Sequence, residues 1–206
     1  MNPKLYKFTS SDSTLLLQVT EQKDNILHVA AKYDLKEMAE KIIELSPLVS
    51  LVNQKNSKGD TPLHIAARLG SLETAKILIK CANSMSPEIE AGERLVRMVN
   101  LKKDTALHEA ARNGHRLTAE LLIKEDHEST LFTNDVGESP LFIAVDKKHI
   151  KIAILILEVA PAFSYGGRNN MNVLHAAAVR SQDEGNSSHL YFINQWKSYG
   201  KMIFIC

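Results

Sequence analysis

Asn56-Ser57-Lys58-Gly59-Asp60-Thr61-Pro62-Leu63-His64-Ile65-Ala66-Ala67-Arg68-Leu69-Gly70 spells a turn, a helix start and a helix stop in one run. Gly59 supplies the positive φ of a tight tip. Thr61 is a helix N-cap, a contribution of about 1 kcal/mol, and Pro62 suits the first helical position because its missing N–H would be unpaired there anyway. Ala66 and Ala67 let neighbouring helices approach closely, and Gly70 closes the helix in a left-handed cap. Leu72, Ala75, Leu78 and Ile79 then fall on one stripe of a second helix. The stretch therefore predicts a helical hairpin with a projecting tip.

The same phrase returns along the chain as Asn25-Ile26-Leu27-His28, Thr105-Ala106-Leu107-His108, Ser139-Pro140-Leu141-Phe142 and Asn172-Val173-Leu174-His175. Counting Leu63, its leucines stand 36, 44, 34 and 33 residues apart. A period of about 33 residues built on T-P-L-H-x-A resembles the ankyrin repeat. The fold expected is all-α, an ankyrin-repeat solenoid of stacked helix-turn-helix units with short hairpin tips, whose units share a core that none can close alone. Residues 23–180 form the array of about five repeats, and 1–22 read as a degenerate N-terminal capping unit. The 44-residue interval places an insertion near 81–97, and 181–206 read as a divergent tail. The tip glycine survives only as Gly59 and Gly137. Lys23, Lys103 and Asn170 stand in its place elsewhere, which predicts tips that are tighter, looser or differently aimed. The segment from Ile150 to Leu157 is apolar on nearly every face and should be well buried.

The 206 residues are 44% hydrophobic and 24% charged, with a formal net charge of +1. That balance is ordinary for a soluble globular protein and gives no case for nucleic acid or an anionic membrane. Cys81 and Cys206 make no disulfide framework. Met1-Asn2-Pro3-Lys4 lacks the apolar run of a signal peptide, and the strongest apolar run, Ile150 to Ala160, falls well short of the roughly 20 residues of a membrane span. A cytoplasmic monomer without direct membrane insertion is expected.

Four histidines recur at one position of the repeat, which invites a metal reading. Neighbouring repeats pack helix on helix at about 8–10 Å, whereas zinc needs nitrogens within about 4 Å of each other, so stacked histidines cannot share an ion. Phe142 in the fourth repeat agrees, since benzene ligates nothing. The expected role is hydrogen bonding to backbone and to the threonine hydroxyl near the turn. No nucleophile elbow, P-loop, dinucleotide fingerprint or H-E-x-x-H is present. His108 and Glu109, the nearest approach to a catalytic pair, are adjacent on a helix and point apart. Glu109 is expected to pair with Arg112 or with a neighbouring repeat. No enzyme, cofactor or metal site is read here.

Ile26-Leu27-His28-Val29-Ala30-Ala31, Thr105-Ala106-Leu107-His108-Glu109-Ala110-Ala111-Arg112 and Asn172-Val173-Leu174-His175-Ala176-Ala177, with the opening Met1-Asn2-Pro3 and Leu5-Tyr6, resemble the plant ankyrin proteins of the accelerated-cell-death group. The resemblance implies further repeats followed by a membrane-spanning C-terminal region, and a role in defence and salicylic-acid signalling at the plasma membrane. The repeat phrase stops after Ala178-Val179-Arg180, so the chain reads as a short or truncated member.

Ankyrin arrays hold protein partners on the hairpin tips and the concave face of the first helices. Tip candidates are Asp60, Asp104 and Glu138, with Lys58, Lys103 and Val136 beside them. Helix candidates are Lys32, Tyr33, Arg68, Leu69, Arg112, Asn113 and Asp146. Down the stack, Lys32, Arg68 and Arg112 predict a basic column, with Tyr33 and Leu69 as apolar anchors.

Overall fold

The computed structural model describes residues 19–45, 49–85, 94–159 and 164–182. The capping unit expected over 1–22, the middle of the insertion and the tail over 181–206 lie largely outside them. Among the described residues there are ten α-helices and no strand: α1 (Ile26–Lys32), α2 (Lys36–Leu45), α3 (Val49–Asn53), α4 (Pro62–Leu69), α5 (Leu72–Met85), α6 (Ala106–Asn113), α7 (Arg116–Glu125), α8 (Pro140–Asp146), α9 (Ile150–Val159) and α10 (Val173–Gln182). Helices α1, α4, α6, α8 and α10 stack as an inner layer, and α2, α5, α7 and α9 as an outer one.

The layers follow from the repeated phrase. Leu27, Leu63, Leu107 and Leu141 are each at most 1% exposed, and the alanine pairs Ala30-Ala31, Ala66-Ala67 and Ala110-Ala111 are sealed between neighbouring inner helices. Small side chains there let the inner helices pack closely while the outer layer carries the bulk. Ile152, Leu155, Ile156 and Leu157 of α9 are buried, as its all-round apolarity requires. Leu174, in the same register on α10, is 37% exposed. Short helical turns close the floor beneath the outer layer: α3 buries Leu51 and Val52, and a 3₁₀ turn at Leu95–Arg97 buries Leu95 and Val96. Helix α5 runs 14 residues where α2, α7 and α9 run ten.

The tips correct one expectation. Lys23, Lys103 and Asn170 hold φ of 60°, 57° and 57°, in the same left-handed region as Gly59 at 74° and Gly137 at 82°. The substituted tips thus keep the glycine conformation, although a left-handed non-glycine residue costs roughly 1–2 kcal/mol. At Lys103 the Asn100 hydrogen bonds described below offset that cost, and at Lys23 the Thr20 hydroxyl and carbonyl accept from the Asp24 and Lys23 N–H groups. Gly70 and Gly114 end α4 and α6 at φ 75° and 78°, and Asp34 and Lys148 take the equivalent left-handed places after α1 and α8.

Candidate protein-binding groove

The second, third and fourth tips are each tied by an asparagine five residues before the helix cap. Asn56 Oδ1 accepts from the backbone N–H of Lys58 (2.9 Å) and Asp60 (3.0 Å). Asn100 does the same for Lys102 and Asp104, and Asn134 for Val136 and Glu138. The amide nitrogens reach the preceding unit: Asn56 donates to Asp24 Oδ1 at 2.7 Å, Asn100 to Asp60 Oδ1 at 2.9 Å, and Asn134 to Asp104 Oδ1 at 3.0 Å. Neighbouring tips are also stitched through backbone. Ser57 N–H donates to Gln22 carbonyl, Leu101 to Lys58 and Asp135 to Lys102, at 2.9, 3.1 and 2.9 Å. The tips therefore form one ordered row.

The histidines complete the joints between units. Thr61 N–H donates to His64 Nδ1 at 3.2 Å, which leaves the ring proton on Nε2, 3.0 Å from the Asp104 carbonyl. His28 reaches the Asp60 carbonyl at 2.9 Å and His108 the Glu138 carbonyl at 3.1 Å in the same way. Each ring is a strut from one repeat to the next. Burial lowers the pKa of all three, that of His108 to about 4, so they stand neutral at pH 7. A second set points backwards: His115 Nε2 lies 3.0 Å from the Arg68 carbonyl and His149 Nε2 3.2 Å from that of Arg112, meeting carbonyls at inner-helix ends.

The groove between the tip row and the inner helices has an ion-paired floor. Arg68 grips Asp60 with two hydrogen bonds (2.8 and 3.0 Å) and Glu109 with two more (3.0 and 2.7 Å). Arg112 donates to Asp104 at 2.9 Å and lies 3.5 Å from Glu109. Arg168 pairs with Glu138 at 3.0 Å and Asp146 at 3.2 Å, and Arg180 reaches Asp146 at 2.8 Å. Burial works against the ionised carboxyls. For Asp60 the hydrogen bonds from Arg68 and Asn100 outweigh it, and for Asp104 the Arg112 hydrogen bond and charge do, so both pKa values fall below the usual range. The open space above this floor is about 950 Å³.

Several expected contact residues therefore sit elsewhere than the tips and column suggested. Asp60, Asp104, Glu138 and Asp146 are buried and bonded to their own arginines. Arg68 and Arg112 are half-buried members of that floor, so the basic column is neutralised at two of its three positions. Glu109 pairs in both directions anticipated for it. Asn113 is exposed at the end of α6, its amide donating to the Glu109 carbonyl at 2.8 Å. Tyr33 at 64% and Leu69 at 48% are exposed, with the Lys32 ammonium 5.5 Å from the Tyr33 ring centre. The repeat phrase does not mark Leu101, 75% exposed at the third tip, Lys102 beside it or Arg168, all of which line the groove.

The sequence model described as ankyrin repeats (3 copies) matches residues 9–91, 88–166 and 107–186. No curated protein matches the chain. Among the described residues no helix is long and apolar enough to cross a membrane.

Proposed function

The chain belongs to the ankyrin-repeat family, and from that premise we propose that it is a non-catalytic adaptor whose groove holds a protein partner. One observation carries the reading: exposed Leu69, Leu101 and Val136 border a floor whose carboxylates are ion-paired to its own arginines, and Tyr33 stands exposed at the register of Leu69. An ion-paired floor gives shape and rigidity, and exposed apolar anchors on its rims supply area to bury. Preorganisation of this kind limits the ordering cost of binding. The closer wording shared with the accelerated-cell-death group supports a place in plant defence and salicylic-acid signalling, at the cytoplasmic face of the plasma membrane.

A second reading is favoured by α10. Leu174 and His175 are exposed there, where the equivalent leucines and the histidines of α1, α4 and α6 are buried by a following unit. On this reading the array is the cytosolic portion of a multi-spanning signalling protein and contacts its own or a relative's membrane region. Affinity capture from plant tissue, with the double variant Tyr33→Ala and Leu69→Ala beside the unaltered chain, tests the adaptor. Both side chains are exposed, so circular dichroism should match while the captured proteins drop away. Identical captures would defeat the groove as the binding face. Capture of full-length membrane relatives alone would move the reading to the second.

A further inference from the structure

The arginines of the groove face the carboxylates of its floor, and the free charge on its rims is left to lysine. Lys23, Lys58, Lys102 and Lys103 are exposed along the tip row, and none has an ion-pair partner among the described residues. Exposed acid on that row is Glu21 and Asp135, and half-buried Asp24 adds a carboxylate held by the Asn56 amide. On the opposite rim the exposed residues include Lys32, Tyr33, Leu69, Asn113 and Lys147. A chain of net charge +1 thus carries a locally positive, partly apolar channel above a floor whose own charges are paired.

We infer that the groove takes an extended, acidic protein segment bearing a carboxylate at about every third residue and apolar side chains between, an inference that rests on the adaptor reading. The period comes from geometry. Successive inner helices stack at about 8–10 Å, and the tips they carry share that spacing. A polyproline II strand rises about 3.1 Å per residue with three residues per turn, so every third side chain returns to one face after about 9 Å. Carboxylates at that period meet Lys58 and Lys102 in turn, which hold the same register one residue before their tips, and the intervening side chains turn toward Leu69. A flat anionic bilayer would touch the projecting tips and miss the far rim, which favours a slender segment over a membrane.

The test uses the full chain and fluorescence anisotropy. One labelled peptide has Glu at every third position with Pro and Leu between. Its comparators are the same residues with the glutamates gathered at one end, a Lys-for-Glu version, vesicles containing phosphatidylserine, and single-stranded RNA. The periodic acidic peptide should bind best and weaken with added salt. It should bind roughly tenfold more weakly to the Lys58→Glu/Lys102→Glu variant, since two exposed pairs are reversed. Both side chains are solvent-exposed, so the variant should keep its helical spectrum and melting temperature. Equal binding of the gathered peptide, an unaltered affinity in the variant, preference for vesicles or RNA, or no binding of the periodic peptide each overturns the inference. Lysate capture separates the two readings. Proteins held equally by the chain and by the variant overturn the acidic-segment inference and leave the adaptor standing, whereas capture of nothing overturns both.

Discussion

The first three joints of the stack and the fourth are built from different chemistry. From the first repeat to the fourth, a buried neutral histidine donates across each joint and an asparagine amide returns to the previous carboxylate. Between the fourth and fifth repeats both are gone. Phe142 stands for the histidine and Gly167 for the asparagine. A Cβ added at Gly167 would lie 2.2 Å from the Phe142 ring, so the glycine makes room for the benzene. Ser139 N–H instead donates to the Gly166 carbonyl at 2.9 Å, and Arg168 bridges Glu138 and Asp146. The two substitutions belong together: a histidine joint works by directed hydrogen bonds, and a phenylalanine joint works by contact and therefore needs the opposite side chain removed.

The largest contrast should come from the arginines. Arg68→Met would leave Asp60, wholly buried, without its cation and Glu109, 5% exposed, with only Arg112 at 3.5 Å. Removing one partner of a buried pair costs about 3–5 kcal/mol. Arg168, with its side chain 38% exposed, can be compensated by water, so Arg168→Met should cost about 1 kcal/mol. Urea midpoints of the two variants check this, and equal losses would show that the floor does not differ between the central and last joints. It also follows that an Arg68→Glu change probes folding before it probes binding.

Next in size is the Phe142–Gly167 contact. Gly167→Ala should cost about 1–3 kcal/mol by overpacking. In a double-mutant cycle, Phe142→His with Gly167→Asn should be less destabilising than the sum of the single changes, because the pair restores the strut and tie of the other joints. Additive losses in thermal melts would mean that the two positions are independent.

How far the sequence revealed all this depended on distance along the chain. Helix starts, caps and the buried leucines are local patterns, set within one unit, and could be read from one repeat. The free and the engaged charges could not, because the decisive partners are a repeat apart: Arg68 with Glu109, Asn100 with Asp60, Asn134 with Asp104. Asp60 beside a tip glycine looks like an exposed acid until the next tip folds over it. A signal was present all the same. Asparagine recurs five residues before Thr61, Thr105 and Ser139, and a carboxylate one residue before those caps and before Asn25. Polar residues recurring at fixed register in stacked units mark ties between units. Leu101 carried no such mark; its exposure follows from its place at a tip whose neighbours bury the rest.

Acid should separate the joints as well. The folded pKa of His28, His64 and His108 is lowered, so as pH falls the unfolded chain takes up protons first and stability is lost. The loss begins near the unfolded value of about 6.5 and, for His108, continues to its folded value of about 4. From pH 7.5 to pH 5, His108 alone should remove about 2 kcal/mol. Asp60 and Asp104, also lowered, keep their contribution until pH falls below the ordinary carboxylate range. Hydrogen exchange should therefore show protection around α1, α4 and α6 falling over that interval more than protection around the Phe142 contact. Uniform loss along the stack would contradict the division.

The smallest effect concerns the tips, and it asks whether the ties or the glycine set their shape. Lys103 is held at φ 57° by Asn100 Oδ1 bonding the N–H on either side of it, at Lys102 and Asp104, and by its own N–H donating to the Asn100 carbonyl at 3.0 Å. Because those bonds already impose the left-handed turn, Lys103→Gly should change no contact. It should relieve steric cost of about 1 kcal/mol while adding unfolded-chain entropy worth slightly less, for a net gain of up to about 0.5 kcal/mol. At Lys23 the tie is Thr20 instead, whose hydroxyl accepts from the Asp24 N–H at 3.1 Å, so the same change there probes a tip without the asparagine. A melting temperature that rises slightly, with the tip-row affinity reduced only by the missing charge, would show that the asparagine tie sets the tip. A rise well beyond that would mean that the lysine strains the turn and that the tie merely tolerates it, which would also set the lysine tips apart from the tips of Gly59 and Gly137.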